Sequence, residues 1–469
     1  MSDKENTHDN HDIEIEHGHG QESEHEKEHK TFKKRHLLHP KSWREFSVYI
    51  LKQRRLTNLL LIFLIPAIVL PRMHLEKTYH DVIYFNFFFN FLAIIPMSNL
   101  MTIGIEDLSA YLGPAYQAVL HALSGNFVEL VIESYALMDG RYAIVRSAVL
   151  GSILCNITLV LGITFVIGSW PTKGRRRRKG ASGLHTEFEI GTFVDTSSSI
   201  LALAFLALMI PAAFRIAATP FDTTDHRLVN CNLQNISHAT AIILMCVFIA
   251  LLIFQLKTHA NETVDVKEIE HHHKIYNWLF DIILIAGSVA GISVCARTLV
   301  SSIEQLGDRY ELGTGFIGIV LLPICVVSNF IEHYQAIAEA AKDKMDTAIS
   351  LILNTSVQMA LLITPILVSV GWAYSRPLTL DFNILEISVL GSAILIVNYL
   401  VADNKAHWLE GFMLIVSYVL IAIAFFYFPS IHDETIPTLG CNPWSRNLNK
   451  TEGHLAEAAA NTGGGAHEG

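Results

Sequence analysis

Between Leu56 and Phe428 the chain is a succession of apolar runs of roughly 20 residues separated by short polar turns, each long enough to cross a ~30 Å hydrocarbon core as a helix. Eleven runs can be counted, at residues 57–73, 82–104, 113–138, 142–169, 192–215, 236–257, 277–302, 313–340, 346–373, 381–401 and 407–428. The pattern predicts an all-α polytopic membrane protein of about eleven transmembrane helices. Residues 1–55 break it: they are Glu, Asp, Lys and His with few apolar side chains, a composition that cannot offset the entropy of ordering and reads as a disordered tail.

An internal repeat sharpens this reading. Gly125-Asn-Phe-Val-Glu129 in the third run returns as Ser328-Asn-Phe-Ile-Glu332 in the eighth, and the following run carries Gly151-Ser152 in the first copy and Asn354-Thr355 in the second. Each copy spans five runs, and five is odd, so the copies insert with opposite orientations and leave the first run unpaired. Inverted repeats of this kind meet near the bilayer midplane and build one site. The organisation expected is a cytosolic tail (1–55), the unpaired helix (56–80), a first five-helix repeat (81–257), an acidic and histidine-rich cytosolic linker (258–275), a second repeat (276–429) and a luminal C-terminal tail (430–469).

Composition agrees with a bilayer protein: of 469 residues 51% are hydrophobic and 17% charged, where soluble domains carry about a quarter charged. A net charge of −10 argues against a nucleic-acid partner, and the basic run Arg175 to Lys179 between two apolar runs is a topology signal. Most Lys and Arg fall on the side of the N-terminal flank, which makes that side cytosolic and the C-terminus luminal. Asn235 and Asn449, each in an Asn-x-Ser/Thr triplet, then lie in luminal segments as candidate glycosylation sites. Cys231 and Cys441 fall in the same compartment, either disulfide-bonded or as two free thiols.

Chemistry concentrates in the repeats. Glu129 and Glu332 lie midway along apolar helices, where a carboxylate costs at least ~2.5–3.5 kcal/mol, so a repeat-related pair reads as functional. Asn126 and Asn329 precede them by one turn, and Ser152 and Thr355 sit at matching points of the next helices. Carboxylates, amide carbonyls and hydroxyls are hard oxygen ligands suited to calcium-like ions. Two carboxylates in a low-dielectric cavity need a proton or a cation between them. If the site reorients only when neutralised by one or the other, the two ions move in opposite directions, without a nucleotide or a bound cofactor. No Walker loop is present.

These residues resemble the calcium/cation antiporter superfamily and, within it, the vacuolar cation/proton exchanger family, whose repeats look like Gly-Asn-Ala-x-Glu followed by Gly-Ser. Glu106 to Gly113, Glu332-His333, Asp346 and the ending Trp408-Leu-Glu-Gly411 match further positions. The resemblance covers about residues 55–430. It implies an antiporter exchanging calcium, or a divalent relative such as manganese, for protons across the membrane of a vacuole or other acidic organelle, with calcium and protons as its substrates. Glu129 and Glu332 would be the central carboxylates, and Asn126, Asn329, Ser152, Thr355 and Gln358 would line the path. His121, Glu133, His333 and Glu339 are accessory candidates, and Glu262, Asp265, Glu268 and Glu270 in the linker form a candidate regulatory segment. A homo-oligomer is compatible with the scaffold. The second copy departs from the pattern at Ser328 and Asn354, so a sodium or potassium/proton exchanger stays as the alternative. A membrane metalloenzyme is the remote one: its only motif is His25-Glu-Lys-Glu-His29 in the tail, which lacks the packed apolar face that a zinc-hydrolase helix needs.

Overall fold

The computed structural model describes residues 59–73, 81–112, 114–169, 188–189, 192–218, 226–258, 277–325, 327–376, 378–402 and 405–429. All belong to one compact unit, Leu56–Gly469. The N-terminal and C-terminal tails, Asn449, Cys441 and the linker carboxylates Glu262, Asp265, Glu268 and Glu270 lie outside the described residues.

The described chain is built of helices: α1 (Leu60–Arg72), α2 (Val82–Leu112), α3 (Pro114–Met138), α4 (Tyr142–Gly168), α5 (Thr192–Ala218), α6 (His226–Ile253), α7 (Asn277–Arg309), α8 (Thr314–Ile324), α9 (Val327–Ala341), α10 (Met345–Ala373), α11 (Ile384–Ala402) and α12 (Trp408–Phe426). Eight of them, α2, α4, α5, α6, α7, α10, α11 and α12, are long and apolar enough to cross a membrane. The expected runs missing from that set are the first, described only over Leu60–Arg72, and the third and eighth. Both carry the repeated Asn and Glu; in the third those polar residues dilute the hydropathy, and the eighth is interrupted at residue 326, which lies outside the described residues. The parts of the eighth run on either side of that residue are named α8 and α9. Helices also run past the apolar windows, α2 to Leu112 and α7 to Arg309, because helical geometry continues where polar residues replace apolar ones.

Two helices form the centre. In both α4 and α10 about 78% of the apolar window is buried, against 22% in α12 and 28% in α5, α6 and α7. The outer helices instead present Ile242, Ile283, Leu395 and Leu420 outward. In water such a surface would drive association; here it is the face offered to lipid.

With no hydrophobic drive between helices in lipid, close packing must come from small residues. On α4, a Cβ placed at Gly151 would stand 2.6 Å from the Gly318 carbonyl oxygen and from the Ile319 Cα of α8, and one at Gly318 would strike Ser147. Further along, Gly162 of α4 and Gly411 of α12 approach each other's carbonyl oxygens in the same way. Because backbone cannot step aside as a side-chain tip can, Gly151→Val is expected to destabilise the folded protein by ~1–3 kcal/mol or more. A lowered thermal unfolding midpoint in detergent, with a smaller change for Gly287→Ala, where a Cβ meets open space, checks this.

Both central helices contain one widened π turn, Cys155–Val160 in α4 and Met359–Ile363 in α10. Each begins three or four residues after the hydroxyl residue of its repeat, Ser152 or Thr355. Such single wide turns inside α-helices cluster at functional sites.

The one departure from an all-helical chain among the described residues is a two-residue antiparallel pair, Phe188–Glu189 with Lys405–Ala406 in register Phe188↔Ala406. It leads into α12, whose first turn is closed by a reciprocal cap between His407 and Glu410.

Candidate functional site

α3, α4, α9 and α10 converge, and their polar residues meet there. Glu129 of α3 is 1% exposed, and Ser152 Oγ of α4 donates to its Oε1 at 2.6 Å. Glu332 of α9 is matched by Thr355 of α10, whose Oγ1 lies 2.8 Å from Glu332 Oε2 and 3.0 Å from the Leu351 carbonyl oxygen. The two carboxylate–hydroxyl pairs therefore share one construction: an acid on one helix held by a hydroxyl 23 residues later on the next.

Contacts between the copies close the site. Asn126 Nδ2 donates to Gln358 Oε1 of α10 at 2.9 Å and to the Ala122 carbonyl at 3.3 Å. Gly125 has no side chain because Glu332 takes its place: a Cβ there would collide with the Glu332 carboxylate. Gly125 and Glu129 are one helical turn apart on the same face, so the Glu332 carboxylate lies alongside α3 about 6 Å of helix rise from Glu129. His333 Nε2 reaches Asn156 Oδ1 of α4 at 2.7 Å.

The donor set is oxygen-rich and partly uncommitted. Asn126 Oδ1 is buried with no hydrogen-bond partner among the described residues, an arrangement that costs free energy unless something else occupies it. Carboxylate, amide and hydroxyl oxygens in this arrangement can take a hard cation or protons. Among the described residues no group of three or more His, Cys, Asp or Glu side chains is placed to hold a metal ion by itself, so a cation here would draw on the amide and hydroxyl oxygens as well.

Of the expected site residues, Asn126, Glu129, Ser152, Glu332, Thr355 and Gln358 are brought together, with His333 beside them. Glu133 lies one turn beyond Glu129, 4% exposed. Asn329 is on α9 and His121 on α3, as expected, but their side chains are outside the described set. Glu339 sits elsewhere: it pairs with Lys342 at 2.7 Å and with Lys344 at 3.9 Å across the α9–α10 turn, an exposed arrangement of small energetic weight. Asn235 was expected in a loop and instead lies in α6, and the Ser237 of its triplet is buried, bonded to the Leu233 carbonyl and the Leu380 amide. Helical backbone and an engaged hydroxyl leave that sequon badly placed for modification. Cys231, at the start of the same helix, is disulfide-bonded.

Three pairings were missed from sequence. Asn156 was visible as a polar residue in an apolar run one turn after Ser152, the signal that could have found it. Glu386 braces the fold: it accepts from Ser147 of α4 and from the Asn383 amide at 3.1 Å, while Asn383 Oδ1 accepts from the Leu385 amide, a reciprocal cap on α11. Arg141, at the α3–α4 turn, is ion-paired to Glu304 of α7. Nothing in the sequence pairs residues so far apart.

The chain is similar to known proteins in sequence and in fold. The sequence profile described as sodium/calcium exchanger protein matches residues 82–257 and 280–427, more than half of the chain. A vacuolar calcium ion transporter of Schizosaccharomyces pombe is 38% identical over 345 residues, 73% of this chain and 79% of that protein. A Ca(2+)/H(+) antiporter of Synechocystis is 31% identical over 357 residues, 72% of this chain and 90% of its own length. In fold, native YfkE superposes with a TM-score of 0.59 at 24% identity, covering 79% of this chain and all of that one.

Proposed function

We infer that this chain, which belongs to the sodium/calcium exchanger protein family, is a multi-pass antiporter that exchanges calcium for protons across a vacuolar or similar acidic organelle membrane. The observation that carries the reading is the duplicated pair of buried acid and hydroxyl, Glu129 with Ser152 and Glu332 with Thr355, joined across the copies by Asn126–Gln358 and by Gly125 against Glu332. The names of the two relatives, a vacuolar calcium transporter and a calcium/proton antiporter, support calcium and protons as the substrates.

The chemistry follows from what the site tolerates. Two carboxylates in a dry helix bundle cannot both stand charged and empty. One calcium ion, or protons, offsets that charge, and the two compete for the same oxygens. The Ser152 and Thr355 hydroxyls can turn: each donates to a bare carboxylate and presents a lone pair when the carboxyl is protonated or the cation is bound. Only a neutralised site can change the side it faces at low cost, so calcium moving one way is exchanged for protons moving the other.

Eleven spans, one unpaired plus two five-helix copies of opposite orientation, are the architecture proposed. Support comes from the equal 23-residue spacing of the two acid–hydroxyl pairs and from the wide turns at matching places in α4 and α10. The N-terminus is assigned to the cytosol and the C-terminus to the lumen; the disulfide at Cys231 is in keeping with an oxidising lumen at that end of α6.

Purified protein in liposomes with an acidic interior is expected to accumulate calcium, and to stop when the proton gradient is dissipated. Uptake indifferent to the gradient, or gradient-driven uptake of sodium or potassium in place of calcium, would refute the assignment. Within the same assay, Thr355→Val removes a hydroxyl from a charged carboxylate, a bond worth ~1.5–3 kcal/mol. The expected result is a KM for calcium raised roughly tenfold or more, with Thr355→Ser near wild type.

A further inference from the structure

Glu133 is not needed by the four-helix cluster, yet it is buried in it. It follows Glu129 by one turn on the same face of α3, is 4% exposed, and its Oε2 has no hydrogen-bond partner among the described residues. A charged side chain so placed is costly unless a proton or a cation neutralises it. It also lines a pocket between α3, α4, α7 and α8, whose wall includes Ile132, Ala148, Val300 and Leu322 and whose charged members are Glu133, Arg141 and Glu304. Arg141 and Glu304 are ion-paired to each other. The pocket thus runs from the end of the bundle that holds the α3–α4 turn to a buried carboxylate one turn from the central acid.

We propose that Glu133 is a second divalent-cation ligand, the outer step of a two-carboxylate path to Glu129, and that the Arg141–Glu304 pair sets the charge at the entrance of this pocket. The proposal rests on the calcium-transport reading above. A divalent cation approaching from the α3–α4 turn meets Arg141 first. With Glu304 bound to it, the guanidinium charge is offset; without Glu304 it opposes entry. Once past, hard carboxylate oxygens of Glu133 replace part of the ion's hydration shell before Glu129 and Ser152 do so. Apolar walls exclude competing water and sharpen that attraction.

The path is one-sided, and that gives the test. Calcium KM is measured separately at the two faces of reconstituted wild-type protein and of Glu133→Gln, Glu133→Asp, Glu304→Gln and the Arg141→Gln/Glu304→Gln double variant. Glu133→Gln is expected to raise KM about tenfold at the face bearing the α3–α4 turn and to leave the opposite face unchanged, with Glu133→Asp restoring most of the loss. Glu304→Gln should raise KM at that same face, and the double variant should bring it back. An equal effect of Glu133→Gln on both faces, or none on either, overturns the proposal, as does a double variant no better than Glu304→Gln. Wild-type protein that moves no calcium at all would overturn the transport reading itself, a result distinct from a failure of sidedness among active variants.

Discussion

Glu129→Gln and Glu332→Gln, singly or together, are expected to reduce gradient-driven calcium uptake to the level of empty liposomes, a loss of at least about a hundredfold. Each removes a charged ligand, and a charge-assisted contact of ~1.5–3 kcal/mol corresponds to roughly ten- to a hundredfold in affinity. The larger part of the effect is coupling. Glutamine imitates the neutral, protonated acid, so the site no longer needs a cation or a proton to reorient. Folding should survive, because Ser152 and Thr355 hydroxyls can bond an amide oxygen as well as a carboxylate. Monodisperse protein with wild-type thermal stability but no uptake is the expected pair of measurements; uptake in either single variant that still follows the proton gradient would remove these two acids from the centre of the mechanism.

A smaller but still large effect is expected from one methyl group. Gly125→Ala places a Cβ where the Glu332 carboxylate now lies, and the obstruction is the tip of a movable side chain. Glu332 can swing away at modest cost in stability, but it then leaves Thr355 and the neighbourhood of Asn126. Calcium uptake should fall by about tenfold or more while the unfolding midpoint changes little. Gly151 is the contrast, since its neighbours are backbone atoms of α8 and a side chain there attacks the fold itself. Thermal stability and uptake measured on both variants separate the two: if Gly125→Ala unfolds the protein as Gly151→Val does, Glu332 is less free than its contact suggests.

How much of this was legible beforehand depended on the kind of signal. Apolar run length places helices well, since eight of the expected spans return as helices long enough to cross a membrane, with ends shifted where polar residues prolong a helix. The repeated Asn-Phe-Val/Ile-Glu segments singled out two acids, because buried charge is expensive, and the fold places each beside the hydroxyl of its own copy. What could not be read were partners chosen by tertiary approach: Glu386 with Ser147, Arg141 with Glu304 and His333 with Asn156 join residues more than 160 positions apart. Hydropathy also misplaced Asn235, since a helix that begins with polar residues looks like a loop until its first apolar turn.

The wide turn in α4 has a consequence for phase. Gly151 and Gly162 are eleven residues apart, which in an unbroken α-helix is three turns plus about 20°, so both would look the same way. The extra residue taken up by Cys155–Val160 sets the second half of the helix back by roughly 100°. Gly151 can therefore address α8 while Gly162 addresses α12. The helix is two short rods joined with an offset, so one half presents Ser152 to Glu129 while the other packs its glycine against α12.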